Sequence, residues 1–371
     1  MASGSYTIET STDGVTWTQL SNVQQISASI GKNAFIDPWR PSSMTFTMRY
    51  PNGYYTPNTA LVQGTQVRLK RVGATYTMWT GRIANVFVKY GIPYNTTTHV
   101  GNADYVDVEC EGALAVAGRL AGNNTAITSA NAYYALAQAA SAGGFSIGTT
   151  YDSTNSPLVS ASTVTNSYAE WLNLFAQTLG STIKDGSGQI GVFTKDFIGT
   201  LPVQFSDTAN NSTNQVYEKI EWSAQVENYF TQVIINTSAY GTVTASSGSA
   251  PYRTLQLSTI NGSASQATDL ANFYLNTYNT PQTVIYALTC RSESQNSWAL
   301  DLGYSWYDIL GYRTNVTFRG STYYMSIVGS TMQATPETST FTYYLASAAF
   351  LPFFILNDPQ YGVLGTNRLS W

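Results

Sequence analysis

The chain has 371 residues and a mass of 40.3 kDa, a length that favours two or three domains with separate cores over one small module. Charged residues make up 10% of it, against about 25% in ordinary soluble domains, but 43% of its residues are hydrophobic, so the low charge does not indicate disorder. The formal net charge of −4 and the pI near 5.0 argue against a surface that neutralises nucleic-acid phosphates.

Residues 1–112 are predicted to form a first β-barrel domain. Apolar and polar side chains alternate in short runs, for example over 44–50 and 106–110, and a period of two is typical of half-buried strands. Turn residues such as Asp13-Gly14 and Gly73 separate these runs. The pattern predicts many short antiparallel strands, which favour a barrel or a sandwich.

Residues 113–205 are predicted to form a small inserted α+β domain. One helix is expected at 129–142, and the glycine pair that follows it at 143–144 is a stop signal. A second helix is expected at 167–179, because Ser167 and Glu170 form a capping-box pair and the apolar residues share one face. A hairpin with its turn at 185–188 is expected to end at residue 193.

Residues 206–346 are predicted to form a second β-barrel domain that contains one helix. The strand pattern returns at 233–235 and 284–290, and the helix is expected at 266–278. The last segment, 347–371, has two prolines and several large apolar residues, which predict an extended C-terminal docking tail. The predicted fold class is therefore mainly β, with two similar tube-like barrels, an α+β insertion and a tail.

A short internal repeat supports the idea of two similar barrels. Residues 73–78, Gly-Ala-Thr-Tyr-Thr-Met, match residues 320–325, Gly-Ser-Thr-Tyr-Tyr-Met, at four of six positions. Both segments follow a strand-like run and precede another β-type run that contains a glycine. The match predicts a duplicated β unit.

The sequence offers little for catalysis. Its single histidine, His99, lies in a polar loop-like stretch with no nearby cysteine or second histidine, so a metal site or a catalytic triad is not expected. Two carboxylate pairs remain available for glycosidase chemistry, Asp107 with Glu109 and Glu218 with Glu221. The first pair alternates with apolar residues and is expected on the solvent face of a strand. We expect no enzyme, no catalytic residue and no nucleotide or other cofactor.

Aromatic residues raise a second possibility, a sugar-binding platform. The tryptophans that could build it are Trp39, Trp79, Trp298, Trp306 and Trp371. Barrel cores and subunit interfaces also use aromatic residues heavily, and we expect that role for most of them.

The N-terminus is neither basic nor apolar, so the sequence predicts no secretory signal and synthesis in a cytoplasm. Cys110 and Cys290 are then expected to be buried free thiols. The longest apolar run, 348–356, contains Pro352 and is less than half the ~20 residues that a spanning helix needs, so no transmembrane segment is predicted.

Four stretches resemble the hub or minor tail proteins at the tail tip of long-tailed bacteriophages. The first is the strand at 41–48 with the Asn-Gly-Tyr-x-x-Pro turn that starts at Asn52. The second is the strand pair at 64–69 and 79–83, which includes the aromatic-Thr-Gly-Arg-Ile motif.

The third stretch is the helix near 267–275, followed by Pro281 and a closing β run that ends at Ala346. The fourth comprises 354–358 and 362–369 and is similar to the C-terminal ending of many minor tail proteins. The four stretches occur in the family's order and span most of the chain.

The resemblance implies a homotrimeric, pseudo-sixfold ring in the virion, made in the host bacterial cytoplasm. Its implied partners are distal tail or tail tube proteins, the tape measure protein, and tip or fibre proteins, with DNA passing through without specific binding. The sequence leaves open whether the insert decorates the outside or contacts a neighbour. Two alternatives also remain open, a carbohydrate-binding adhesin and a tail-associated glycan hydrolase.

Overall fold

The computed structural model describes residues 6–34, 36–50, 61–73, 76–91, 103–194, 201, 204–208, 214–223, 229–279, 283–292 and 306–347. Several predicted features lie outside these residues, namely His99, Trp298, the turn that starts at Asn52 and the docking tail after residue 347.

The first β unit comprises the seven strands that the structure describes before the insert. In chain order they are β1 (Tyr6–Ser11), β2 (Thr18–Gln19), β3 (Val23–Gly31), β4 (Ser43–Tyr50), β5 (Gln66–Arg71), β6 (Thr77–Lys89) and β7 (Asp104–Glu111).

The described residues of the insert form three helices and three small sheets. Its elements are α1 (Ala113–Arg119), β8 (Thr125–Ile127), β9 (Ala130–Asn131), α2 (Ala132–Gly143), β10 (Ile147–Thr149), β11 (Leu158–Val159), β12 (Ser162–Val164), α3 (Tyr168–Leu179), β13 (Thr182–Asp185) and β14 (Ile190–Phe193).

The remaining elements form the second β unit and a side sheet. The second β unit has β15 (Gln204–Ser206), β16 (Asn214–Val216) and β17 (Lys219–Ser223), then, after the side sheet, β21 (Val284–Ser292), β22 (Arg313–Phe318), β23 (Ser321–Ala334) and β24 (Ser339–Ser347). The side sheet, with its helix, has β18 (Gln232–Thr237), β19 (Gly241–Ser246), β20 (Thr254–Thr259) and α4 (Ala264–Tyr278).

The two β units share one strand order. In the first, neighbouring strands run β3-β4-β7-β6-β5-β1, and in the second they run β17-β21-β24-β23-β22-β15. Each strand of one unit thus has a counterpart at the same place in the other, although β15 pairs parallel with β22 where β1 pairs antiparallel with β5. The mainly β class and the duplicated unit are confirmed. The strand pairings among the described residues form open paths, so barrel closure stays a prediction.

The strands form where the alternation of side chains predicts them. On β4, Met44, Phe46 and Met48 are buried while the residues between them are exposed or half-buried. Strand β7 alternates in the same way, with Val106 and Val108 in the core. Because side chains on a strand point alternately to its two faces, one face of each strand fills the core.

Three of the four helices in the described residues match the predictions closely. Helix α3 begins after Ser167, whose hydroxyl accepts from the N–H of Glu170, as the capping box predicts. Helix α2 begins three residues later than expected, because Asn131 caps it and the residue before pairs in β9. Helix α4 is capped by Ser263 and begins two residues early. Helix α1 was not predicted.

Two sequence assignments are corrected. Val233–Ile235 lies in the side sheet, which packs against α4, and not in the second β unit as predicted. The six-residue repeat does fall on equivalent hairpins, β5–β6 and β22–β23, each with a positive-φ glycine in its turn. Strands β5 and β22 correspond in the register of the sequence match. Strands β6 and β23 are offset from it by three residues, because Ile83 corresponds to Ile327 at the equivalent bulges.

The two β units join through antiparallel pairing of β3 with the C-terminal half of β23. The pairing runs from Ile26 opposite Ala334 to Gly31 opposite Gly329. A Cβ at Gly329 would overlap the carbonyl oxygen of Lys32, and one at Gly31 would overlap that of Val328. Both positions need glycine because the two backbones approach each other so closely.

We expect Gly329→Ala to lower the free energy of unfolding by about 2 kcal/mol, because the added methyl group overlaps backbone atoms that cannot move independently. Thermal unfolding followed by circular dichroism checks this. The matched control is Gly118→Ala, whose Cβ would lie 3.7 Å from the Cβ of Ala169 and should not lower the midpoint. A Gly329 variant as stable as the control would contradict the close approach at the junction.

Candidate assembly surfaces

The first predicted carboxylate pair lies on the outward face of β7 and is occupied by surface contacts. Asp107 accepts from the Nζ of Lys89 at 2.5 Å and from the Oγ1 of Thr47 at 2.8 Å. Glu109 accepts from the side-chain amide of Asn85 at 2.9 Å. The hydrogen bond from Lys89 lowers the pKa of Asp107, so this carboxylate stays ionised at neutral pH and is not poised to donate a proton.

The second carboxylate pair is also engaged with cations. Glu221 lies 2.8 Å from the Nζ of Lys219, and Glu218 lies 3.9 Å from a guanidinium nitrogen of Arg291. Among the residues that the structure describes, no group of three or more His, Cys, Asp or Glu side chains is placed to hold a metal ion.

Three of the tryptophans considered for a sugar platform are core residues. Trp39, Trp79 and Trp306 are buried. Their indole N–H groups donate internally, to the carbonyl of Ser181, the hydroxyl of Ser42 and the hydroxyl of Ser330, at 2.9–3.2 Å. They therefore cannot present flat faces to a glycan. Trp298 and Trp371 lie outside the described residues.

The β13–β14 hairpin of the insert contacts both β units. At the turn, the carbonyl of Gly186 accepts from the N–H of Thr80 at 2.6 Å. A Cβ at Gly186 would contact Trp79 of the first unit and Tyr307, next to the second, both at 2.9 Å. The turn predicted at 185–188 thus lies between the two β units, and this part of the insert is not a peripheral decoration.

Asp185, the last residue of β13, connects the hairpin to the first β unit. Its buried carboxylate accepts from the N–H of Ser42 at 2.8 Å and lies at the N-terminus of α1, near the N–H groups of Leu114 and Ala113. Burial raises the pKa of Asp185 to about 6, although these N–H groups favour the charged form. The sequence showed Asp185 only as a turn residue and gave no sign of this contact.

Lys184, the preceding residue, connects the hairpin to the second β unit. Its Nζ donates to the carbonyl of Asp308 at 2.5 Å, lies 3.7 Å from that residue's carboxylate, and sits over the rings of Phe193 and Tyr312. Burial lowers the pKa of Lys184 to about 8, whereas the nearby Asp308 carboxylate raises it. The ammonium therefore remains largely protonated at neutral pH and holds this contact.

Two strands lie at open edges of the large sheet in the described part of the chain. Along residues 84–89, β6 pairs only with β7, and β17 pairs only with β21. Large aromatic side chains are exposed at both edges, with Phe87 at 50%, Tyr90 at 60% and Trp222 at 37%. Exposed backbone donors and acceptors next to apolar side chains are typical of surfaces that pair with another strand.

No helix among the described residues has the length and apolar character needed to cross a membrane.

The chain has the fold of phage tail proteins. It is similar to the 43 kDa tail protein of prophage MuSo2 from Shewanella oneidensis, at 11% identity and a TM-score of 0.60, with 92% of this chain and 97% of that one covered. It is similar to a tail protein from Neisseria meningitidis, at 10% identity and a TM-score of 0.63, over 93% and 96% of the two chains.

A third similar structure is prophage tail protein gp18 from Listeria monocytogenes, at 12% identity and a TM-score of 0.54, with 93% and 95% covered. No protein-family model and no curated protein matches the chain by sequence. The resemblance found in the four sequence stretches is therefore confirmed at the level of the fold.

The raised pKa of Asp185 has a consequence for stability. A carboxyl group whose pKa rises on folding stabilises the protein fully below the unfolded value of 3.8, and this contribution is lost as the pH rises through about 6. We expect the free energy of unfolding of the parent, minus that of Asp185→Asn, to fall by about 2 kcal/mol between pH 4 and pH 6. Urea unfolding at both pH values checks this, and a difference that does not change with pH contradicts it.

The two cysteines should be inert in the native state. Cys110 and Cys290 are both buried, and burial raises the pKa of each thiol far above neutral. We expect neither to react with a water-soluble disulfide reagent in buffer and both to react in denaturant. Rapid reaction of the native protein would show that one of the β cores is open to solvent.

Proposed function

We propose that the chain is the structural hub subunit of a bacteriophage tail tip and has no catalytic activity. The observation that carries this proposal is the tail-protein fold, shared over nine tenths or more of both chains with three tail proteins. The engaged carboxylates and buried tryptophans described above favour a structural role over the hydrolase and adhesin alternatives.

We propose further that the subunit assembles as a homotrimer. Each chain carries two β units with one strand order, so three chains supply six similar units. A ring of this kind has threefold symmetry in its chains and approximate sixfold symmetry in its β units. It can therefore contact a sixfold tail tube on one side and a threefold tip on the other.

The proposed ring joins the distal tail or tail tube proteins and the tape measure protein to the tip or fibre proteins, and its lumen forms part of the DNA conduit. The charge of the chain supports this role. With 17 Lys and Arg against 21 Asp and Glu, the subunit has too few cations to retain passing phosphates. The proposed location is the virion tail tip, after synthesis in the host bacterial cytoplasm.

The proposal predicts a mass of about 121 kDa in solution, three times the 40.3 kDa of the chain. Light scattering behind size-exclusion chromatography, over a range of protein concentrations, measures it directly. Electron microscopy of the same fraction should show a ring with six similar lobes and an open centre.

A chain that stays monomeric at every concentration, and is absent from purified virions by mass spectrometry, contradicts the proposal. In that case titration of tryptophan fluorescence with glycans tests the adhesin alternative.

A further inference from the structure

The two strands that correspond to the junction strands in the other β unit do not pair with each other within the described part of the chain. The junction pairs an edge of the first β unit, β3, with the C-terminal half of β23 in the second. In the shared strand order, β17 occupies the place of β3, and β6 occupies the place of β23. Both counterparts are open edges in the part of the chain that the structure describes.

The register of the two units can be matched residue by residue. Ile83 in β6 and Ile327 in β23 both precede a one-residue bulge. Four residues after each of these isoleucines, an equivalent row of cross-strand partners crosses each unit. In the first unit the row is Phe87, Asp107, Thr47 and Gln25, and in the second it is Thr331, Thr342, Thr289 and Lys219. Gln25 of β3 thus corresponds to Lys219 of β17, and Phe87 to Thr331.

This residue match predicts which residues of the two open edges would lie opposite each other. Within the chain, Gln333 lies opposite Ser27, and Met332 lies opposite Ala28. Two steps along the matched row, Gln333 corresponds to Lys89 and Ser27 to Glu221. The count along β17 ends at Glu221, because the pairing of β17 with β21 shifts by one residue between Glu221 and Trp222.

We propose that β17 of one copy pairs antiparallel with residues 84–89 of β6 in the next copy, with Glu221 opposite Lys89. The inference rests on the proposed ring and names the contact that closes it. Different surfaces meet in this contact, so the copies are arranged head to tail, and such an arrangement forms a ring when its rotation closes.

The side chains at the two edges are complementary in this register. Lys89 and Glu221 carry opposite charges. Lys89 is exposed on β6, and Glu221 points to the face of β17 opposite to that of Ile220, which packs against the core. Opposite charges directly across an antiparallel pair are favourable.

A second copy is the occupant that fits best, because the chain already contains this junction once. The open edge of β17 corresponds to the edge of β3 that pairs with β23. The open edge of β6 corresponds to the edge of β23 that pairs with β3. Pairing between copies also removes two exposed sheet edges, which otherwise promote unspecific association.

The test is disulfide crosslinking of the double variant Lys89→Cys/Glu221→Cys. We expect oxidation to give covalent multimers on non-reducing electrophoresis, with the closed trimer as the largest species. Each single variant alone should stay uncrosslinked, because Lys89 never meets Lys89 in a head-to-tail contact. Coexpressed single variants should give covalent dimers. The native Cys110 and Cys290 are buried and should add no background.

The matched control is Asn85→Cys/Glu221→Cys. Asn85 lies on the same outward face of β6, four residues from Lys89, a distance of about 13 Å along a strand that a disulfide cannot bridge. Equal crosslinking of both double variants, or crosslinking of either single variant, overturns the proposed register. All four variants change exposed side chains, and circular dichroism confirms that each is folded.

The same samples separate this inference from the proposed function. A trimeric mass without a disulfide between positions 89 and 221 overturns the inference and leaves the hub proposal standing. A monomeric mass without crosslinks overturns the inference and the homotrimer, and mass spectrometry of purified virions then decides the hub proposal. A trimeric mass with the expected disulfide supports both.

Discussion

The pairing of β3 with β23 is the contact on which the rest of the structure depends, because it makes one continuous sheet from two separate β units. Its geometry is restricted by Gly31 and Gly329, where neither backbone leaves room for a side chain. Such a restriction fixes the register, and in a sheet a slip of one residue would turn every side chain to the opposite face. The relative position of the two β units follows from this register.

The insert reinforces the junction through two consecutive residues. Neighbouring side chains on a strand point in opposite directions, so Lys184 reaches the second β unit while Asp185 reaches Ser42 and α1 beside the first. Both ionisable groups are buried, and burial alone disfavours their charged forms. Their hydrogen bonds and the ion pair with Asp308 compensate, which makes the hairpin specific for this one position.

The sequence predicted what depends on local pattern and missed what depends on distant partners. Alternation located β4 and β7, and Ser167 with Glu170 located α3. Helix α1 was not predicted because Gly112, the residue before it, has no side chain to cap it. The carboxylate near its first N–H groups belongs to Asp185, which is distant in the sequence. Val233–Ile235 was recognised as a strand, but periodicity reports burial and not which sheet a strand joins. The open edges of β6 and β17 emerged only from strand order.

The sequence separation of the junction also sets an order of events on the ribosome. Gly31 is synthesised about 300 residues before Gly329, which corresponds to roughly 15–60 s at typical translation rates of about 5–20 residues per second. During that interval the edge of β3 is complete but lacks its own partner. Until its own β23 is made, this edge can pair with the β23 of another copy, and such an exchange of identical elements between chains is domain swapping.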